Sequence, residues 1–162
     1  MKWIQRFWRQ PNKRYRNFQI VYTILTLNFA IPAFSYYTDR DGTIERARKI
    51  GELLGSPEFP ESEKSHIWWI LGSGNVATLA FMCFLLQFNL RRYRPVLPAL
   101  MFLKAASSIG YGVLFTKTRN RFFAAASLLD AVTTASMAYY ATTAFDEIEA
   151  SDSPLVPEPF VL

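Results

Sequence analysis

Two stretches of this chain, residues 17–38 and 65–90, contain no Asp, Glu, Lys or Arg. They run for 22 and 26 residues. About 20 apolar residues at a rise of ~1.5 Å cross the ~30 Å hydrocarbon core of a bilayer. A helix of a soluble bundle shows a charged or polar face, and neither stretch has one. The pattern predicts membrane-spanning helices at about 17–37 and 67–90. Two further apolar runs, about 95–116 and 122–145, each hold one charge near the middle, Lys104 in the first and Asp130 in the second. The expected fold is all-α: a four-transmembrane-helix bundle forming one membrane domain over residues 1–162, with a tail at 146–162.

The two central charges need a physical reason. A charge at mid-span costs about 2.5–3.5 kcal/mol on insertion scales. Lys104 lies nine residues past Pro95, and Asp130 nine residues past Arg121. At ~1.5 Å per residue both sit roughly 13 Å deep, near the centre of the core. Asn28 and Asn75 fall at similar depth in the other two spans. Asn28, Asn75, Lys104 and Asp130 thus form a candidate polar membrane layer, one residue per helix. One reading is a lock, with Lys104 paired to Asp130 and the asparagines satisfying leftover groups; such a layer fixes register more than it adds stability. The other is an ion or proton site, a common use of intramembrane carboxylates and lysines.

The flanks add detail. Trp3, Ile4, Phe7 and Trp8 share one helical face with Lys2, Arg6 and Arg9 away from it, which predicts a short N-terminal interfacial helix. Six basic residues precede the first span with no acid among them. Next to a membrane span, such a cluster reads as a headgroup contact and not as a nucleic-acid surface. The first apolar run is too long for a cleavable signal peptide. Pro32 predicts a kink in the first span. The loop at 38–65 is expected to carry a short amphipathic helix, N-capped by Thr43 and ended by Gly55, Pro57 and Pro60. Gly72, Ser73 and Gly74 predict close approach of another helix, and Ala126, Asp130, Thr134, Ala138 and Thr142 a helix-facing stripe. The side bearing the termini carries nine basic residues outside the spans and the opposite side eight. The cluster beside the first span tips the orientation toward both termini in the cytoplasm.

Motifs for chemistry are sparse. The chain lacks a nucleophile elbow, a glycine-rich phosphate loop, paired acids in the spans and a Cys/His cluster with metal-ligand spacing. These features point away from an enzyme and from a bound metal. Cys83, the lone cysteine, lies in an apolar run and reads as a small hydrophobe. His66, Trp68 and Trp69 mark the start of the second span. They read as interfacial anchors, or as contacts for a ligand or pigment. Phe81, Phe84 and Phe88 form an aromatic stripe facing lipid or neighbouring helices.

Arg92-Tyr93-Arg94-Pro95, then Leu103-Lys104-Ala105-Ala106-Ser107-Ser108, then Leu129-Asp130-Ala131 together resemble small bacterial four-helix membrane proteins of unknown function, broadly DoxX-like in layout. The resemblance covers the last three spans and implies a bacterial inner-membrane protein in which the Lys and the Asp are typical features. It implies no reaction, and the long first loop and proline-spaced tail depart from that layout. Aromatic residues make up 16% of the chain. With the amphipathic start and acidic, proline-spaced tail, they suit a non-catalytic accessory or stabilising subunit of a larger membrane complex. Two alternatives remain open: a small ion- or proton-coupled transporter using Lys104 and Asp130, or a helper binding a lipid, quinone or pigment. Expected partners are the bilayer and other membrane subunits.

Overall fold

The computed structural model describes residues 12–56, 59 and 66–150. Among these it shows six α-helices and no strand. They are α1 (Lys13–Thr38), α2 (Arg40–Leu53), α3 (His66–Phe88), α4 (Leu90–Tyr93), α5 (Val96–Thr118) and α6 (Arg121–Ala150). Four of them, α1, α3, α5 and α6, are long and apolar enough to cross a membrane, which fits a multi-pass membrane protein. The expected interfacial helix at the N-terminus and the proline-spaced tail beyond Ala150 lie outside the described residues.

Local chemistry sets the helix ends. Asn12 accepts from the backbone N–H of Tyr15 and so caps α1. Asp39 closes α1 with its own N–H on Ser35 O, and its carboxylate caps α2 through Gly42 N. The cap of α2 is therefore Asp39 and not Thr43, because a carboxylate one residue past α1 reaches the first free N–H groups sooner. Thr43 instead donates its hydroxyl back to Asp39 O at 2.8 Å. A Cβ added at Gly42 would crowd the Asp39 carboxylate, so a larger residue there would push this cap aside. At the far end Gly55 has φ +67°, Gly55 N bonds Glu52 O, and Ser56 N bonds Gly51 O. That is a complete Schellman motif, in which the left-handed residue is best a glycine. So α2 ends before Pro57.

The second span also ends earlier than position 90. Asn89 accepts from Arg92 N and starts the separate turn α4, which holds Arg91 and Arg92. The fourth span runs past 145 as helix, carrying Asp146 and Glu147 within α6.

The four long helices pair as α1 with α3 and α5 with α6. α1 also packs on α6, while α3 and α5 meet only briefly. The core is concentrated at the end of the bundle nearest the termini. Tyr15, Phe18 and Tyr22 form a ring stack on α1, with centroids 5.7 and 4.4 Å apart. Cys83, Leu86, Leu90, Leu100 and Met137 close around it, all fully buried. The Tyr22 hydroxyl donates to Met137 O at 3.0 Å, tying α1 to α6. The buried face of α6 runs through Asp130, Thr133, Met137, Ala141 and Ala144. The expected four-residue stripe drifts off this face, because a helix repeats every ~3.6 residues, and Thr142 ends exposed. Gly72 and Gly74 meet no neighbouring helix: nothing lies within 4 Å of a Cβ added at either. Phe81 and Phe84 are exposed on the outside of the bundle.

At the opposite end α2 folds back over the bundle. Gly51 is buried against the Asn120 side chain, 3.0 Å from its Oδ1 to an added Cβ. Asn120 Oδ1 also accepts from Phe122 N, capping α6. Arg121 N donates to Ser56 Oγ and Arg121 Nη1 to Leu54 O, both at 2.7 Å. One asparagine thus serves a helix start and a docking contact. Asn120→Ala should cost about 1 kcal/mol in unfolding experiments in detergent. It should also make the α2 segment cleave faster under limited proteolysis; unchanged cleavage would show that α2 is held by other contacts.

Candidate intramembrane site

The α5–α6 hairpin is built to carry polar groups in an apolar layer. Ser108 Oγ donates to Ser127 O and Ser127 Oγ to Ser108 O, both at 2.8 Å. Small side chains permit this approach, and Gly112 continues it, with Ser127 Oγ 3.4 Å from an added Cβ. One turn deeper, Lys104 Nζ pairs with Asp130 Oδ1, and Ser107 Oγ donates to Asp130 Oδ2 at 2.6 Å. Lys104 and Asp130 are only 7% and 8% exposed. The Lys104 ammonium also lies 5.1 Å from the centroid of the Phe29 ring, a cation–π distance. Lys104 therefore stays inside the bundle and does not snorkel to the surface.

This pair lines a cavity of about 380 Å³. α1 contributes Asn28, Phe29, Pro32 and Tyr36; α3 contributes Val76 and Leu79; α5 contributes Lys104, Ser107 and Tyr111. α6 closes it with Phe122, Ala125, Ala126, Leu129 and Asp130, and Ile50 of α2 reaches in from the end. Among the described residues the Asn28 amide and the Tyr36 and Tyr111 hydroxyls form no hydrogen bond. Pro32 has no N–H to offer the Asn28 carbonyl, so the backbone at Asn28 lacks its ordinary helix partner as well. These groups are open to the cavity or to the outside and not sealed inside the protein, so they are available to bond an occupant. Several such groups around one cavity mark a place suited to a hydrogen-bonding occupant.

Three of the four residues expected in the polar layer line this cavity; Asn75 does not. Asn75 is exposed, off the face formed by Ser73, Leu79, Cys83 and Leu86. α3 instead brings Val76 and Leu79, which makes that wall apolar. For His66 and Trp68 only the backbone is described, as part of α3. Trp69 lies 5.6 Å from the Tyr36 ring and 5.5 Å from the Arg40 guanidinium, centroid to centroid and centroid to carbon. It is an aromatic anchor where α1, α2 and α3 meet.

A second polar cluster has no counterpart in the sequence reading. Gln87 Nε2 donates to Thr26 Oγ1 at 2.7 Å and to Tyr22 O and Cys83 O at 3.2 Å. Thr23 Oγ1 donates to Gln87 Oε1, and Gln19 Nε2 to Gln87 O. This network stitches α1 to α3 in the tightly packed half. Its signal was present: Gln19, Thr23 and Thr26 recur at helical spacing, on the face that carries Tyr15 and Tyr22.

Comparison with protein-family models, with curated proteins and with solved structures finds no match to this chain. The site is therefore read from its own geometry. Removing one member of a buried ion pair leaves the other charge uncompensated, so Asp130→Ala should destabilise by about 3–5 kcal/mol. The double change Lys104→Leu with Asp130→Leu should unfold close to the parent. Denaturant titration in detergent distinguishes the two; a double variant as unstable as the single one would contradict the pairing account.

Proposed function

We propose that this protein is a non-catalytic membrane helper that holds a small lipid-phase molecule in the cavity beside Lys104 and Asp130. The observation that carries this reading is the cavity wall. A locking pair would be packed on all sides, whereas this one borders about 380 Å³ of space shared with polar groups that form no hydrogen bond among the described residues. Pockets of roughly 300–1,000 Å³ with a few convergent polar groups on apolar walls are typical of small-molecule sites. Lipids, quinones and pigments belong to the range of molecules that reach such a place.

The wider setting is an accessory subunit of a membrane complex in a bacterial inner membrane, with both termini cytoplasmic. The basic residues beside the first span support the orientation. Exposed positions on α3 support the assembly, since Gly74 has open space beside it and the neighbouring Asn75 carries an amide on the outside of the bundle. A carrier reading keeps the same cavity and adds ion movement through Asp130. In that case Asp130→Asn abolishes transport in vesicles while the protein still accumulates.

The helper reading predicts that protein purified in mild detergent carries a small molecule, visible by native mass spectrometry and after solvent extraction. Tyr111→Phe should lower its occupancy without lowering the yield of folded protein. Identical extracts from the parent and from a variant with a filled cavity, Ala126→Phe, would overturn it. Co-isolation of stoichiometric partners tests the accessory role separately; a lone, monodisperse protein would remove that part.

A further inference from the structure

We infer that the cavity takes an uncharged molecule whose compact head carries oxygen acceptors, such as a ketone or ester carbonyl, and that it enters sideways from the hydrocarbon layer between α1 and α6. This rests on the binding reading above and adds the ligand's chemical class and route.

The class follows from the hydrogen-bond inventory. Lys104 and Asp130 balance in charge, and each Asp130 oxygen already has a donor, from Lys104 or from Ser107. A cationic ligand would find no free carboxylate, and an anionic ligand would have to compete with Asp130 for Lys104. The groups left over are mainly donors. An ammonium has three N–H bonds, and the Tyr36 and Tyr111 hydroxyls each offer one more. The Asn28 amide serves either way. Acceptor oxygens complement this set, and the surrounding Phe29, Val76, Leu79 and Phe122 suit an apolar body. A volume of 380 Å³ fits one compact ring system and not a whole two-chain lipid.

The route follows from exposure. The cavity-lining residues that also reach the outside are Asn28 on α1, Ile50 on α2, and Ala125 and Leu129 on α6. Leu129 is 62% exposed. α1 and α6 are tied together nearer the termini, by Tyr22 to Met137 and by Asn12 and Arg14 to Glu147. Towards α2, Asn28 on α1 and Leu129 on α6 both line the cavity and are exposed, which makes them the two lips of a side opening. Such an opening faces lipid, which selects against charged molecules before they reach the site.

Benzophenone tests both points, because it is an uncharged diaryl ketone that also photo-crosslinks to nearby C–H bonds. Reconstituted protein is irradiated with benzophenone or with 4-benzoylbenzoate, its carboxylate analogue, and the labelled residues are mapped by mass spectrometry. Benzophenone should label Phe29, Leu79 or Leu129 several-fold above the lipid-facing Phe102. Tyr36→Phe with Tyr111→Phe should remove that excess while the unfolding midpoint stays unchanged. The carboxylate analogue, compared at equal membrane-bound concentration, should show no excess. Excess labelling by the carboxylate would overturn the ligand class and leave the binding reading standing. No excess with either probe would overturn both. Vesicles of ester-linked and ether-linked phosphatidylcholine separate the sources. Equal labelling supports a free ketone-like ligand, and a several-fold rise in the ether lipid keeps the class but assigns the acceptor to bilayer ester groups. If the double Phe variant unfolds early, Leu129→Trp at the opening is the second variant; it should slow labelling, and unchanged labelling would contradict the lateral route.

Discussion

The ion pair between Lys104 and Asp130 fixes the register on which the placement of the other helices depends. In an apolar layer neither charge is tolerable alone, so the pair holds α5 and α6 in one register. Ser107 takes the second carboxylate oxygen, and the reciprocal Ser108–Ser127 bonds keep the two backbones close enough for the lysine to reach. The lysine then points toward α1, where the Phe29 ring meets its ammonium. A hairpin constraint thereby becomes a constraint on the whole bundle.

The bundle is uneven along its length, and that unevenness makes the site. Near the termini, aromatic side chains of α1, the Gln87 network and Met137 fill the interior. Toward α2 the small side chains of Ala125, Ala126 and Pro32 leave room among the larger Tyr36, Tyr111 and Phe122. Helix association in a bilayer relies on packing and hydrogen bonds and not on expulsion of water. An underfilled half is thus tolerated as long as the other half holds. α2 covers the underfilled end through Asn120, Arg121 and the buried Gly51, placing Ile50 at the cavity.

Much of this fold was legible in the sequence, because charge-free runs of membrane length leave a chain little choice. The Lys104 and Asp130 positions were legible for the same reason: charges in such runs stand out. Asn75 was misplaced because depth along a helix says nothing about the direction a side chain faces, and one residue is a turn of ~100°. The cap at Asp39 was not legible because α2 begins one residue after α1 ends, with no break in the sequence to mark the start. The Gln87 cluster was not legible because its partners on α1 lie 61 to 68 residues away, and their spacing marks a polar face without naming Gln87. The cavity itself was not legible at all. It is lined by residues of five helices, and no spacing within one helix encodes that.

The central claim is that Lys104 and Asp130 border a space open to small molecules at mid-membrane, in contrast to the packed core nearer the termini. The most direct measurement is photolabelling of reconstituted single-cysteine variants with a small apolar diazirine, in a Cys83→Ala background, because a carbene inserts into a thiol S–H and does not need the thiolate that maleimide chemistry requires. Ala126→Cys, on the cavity wall of α6, is predicted to react. Ala141→Cys, on the same helix in the packed half and 1% exposed at the parent residue, is predicted to stay unlabelled. Equal labelling of both positions, or of neither, would contradict the account.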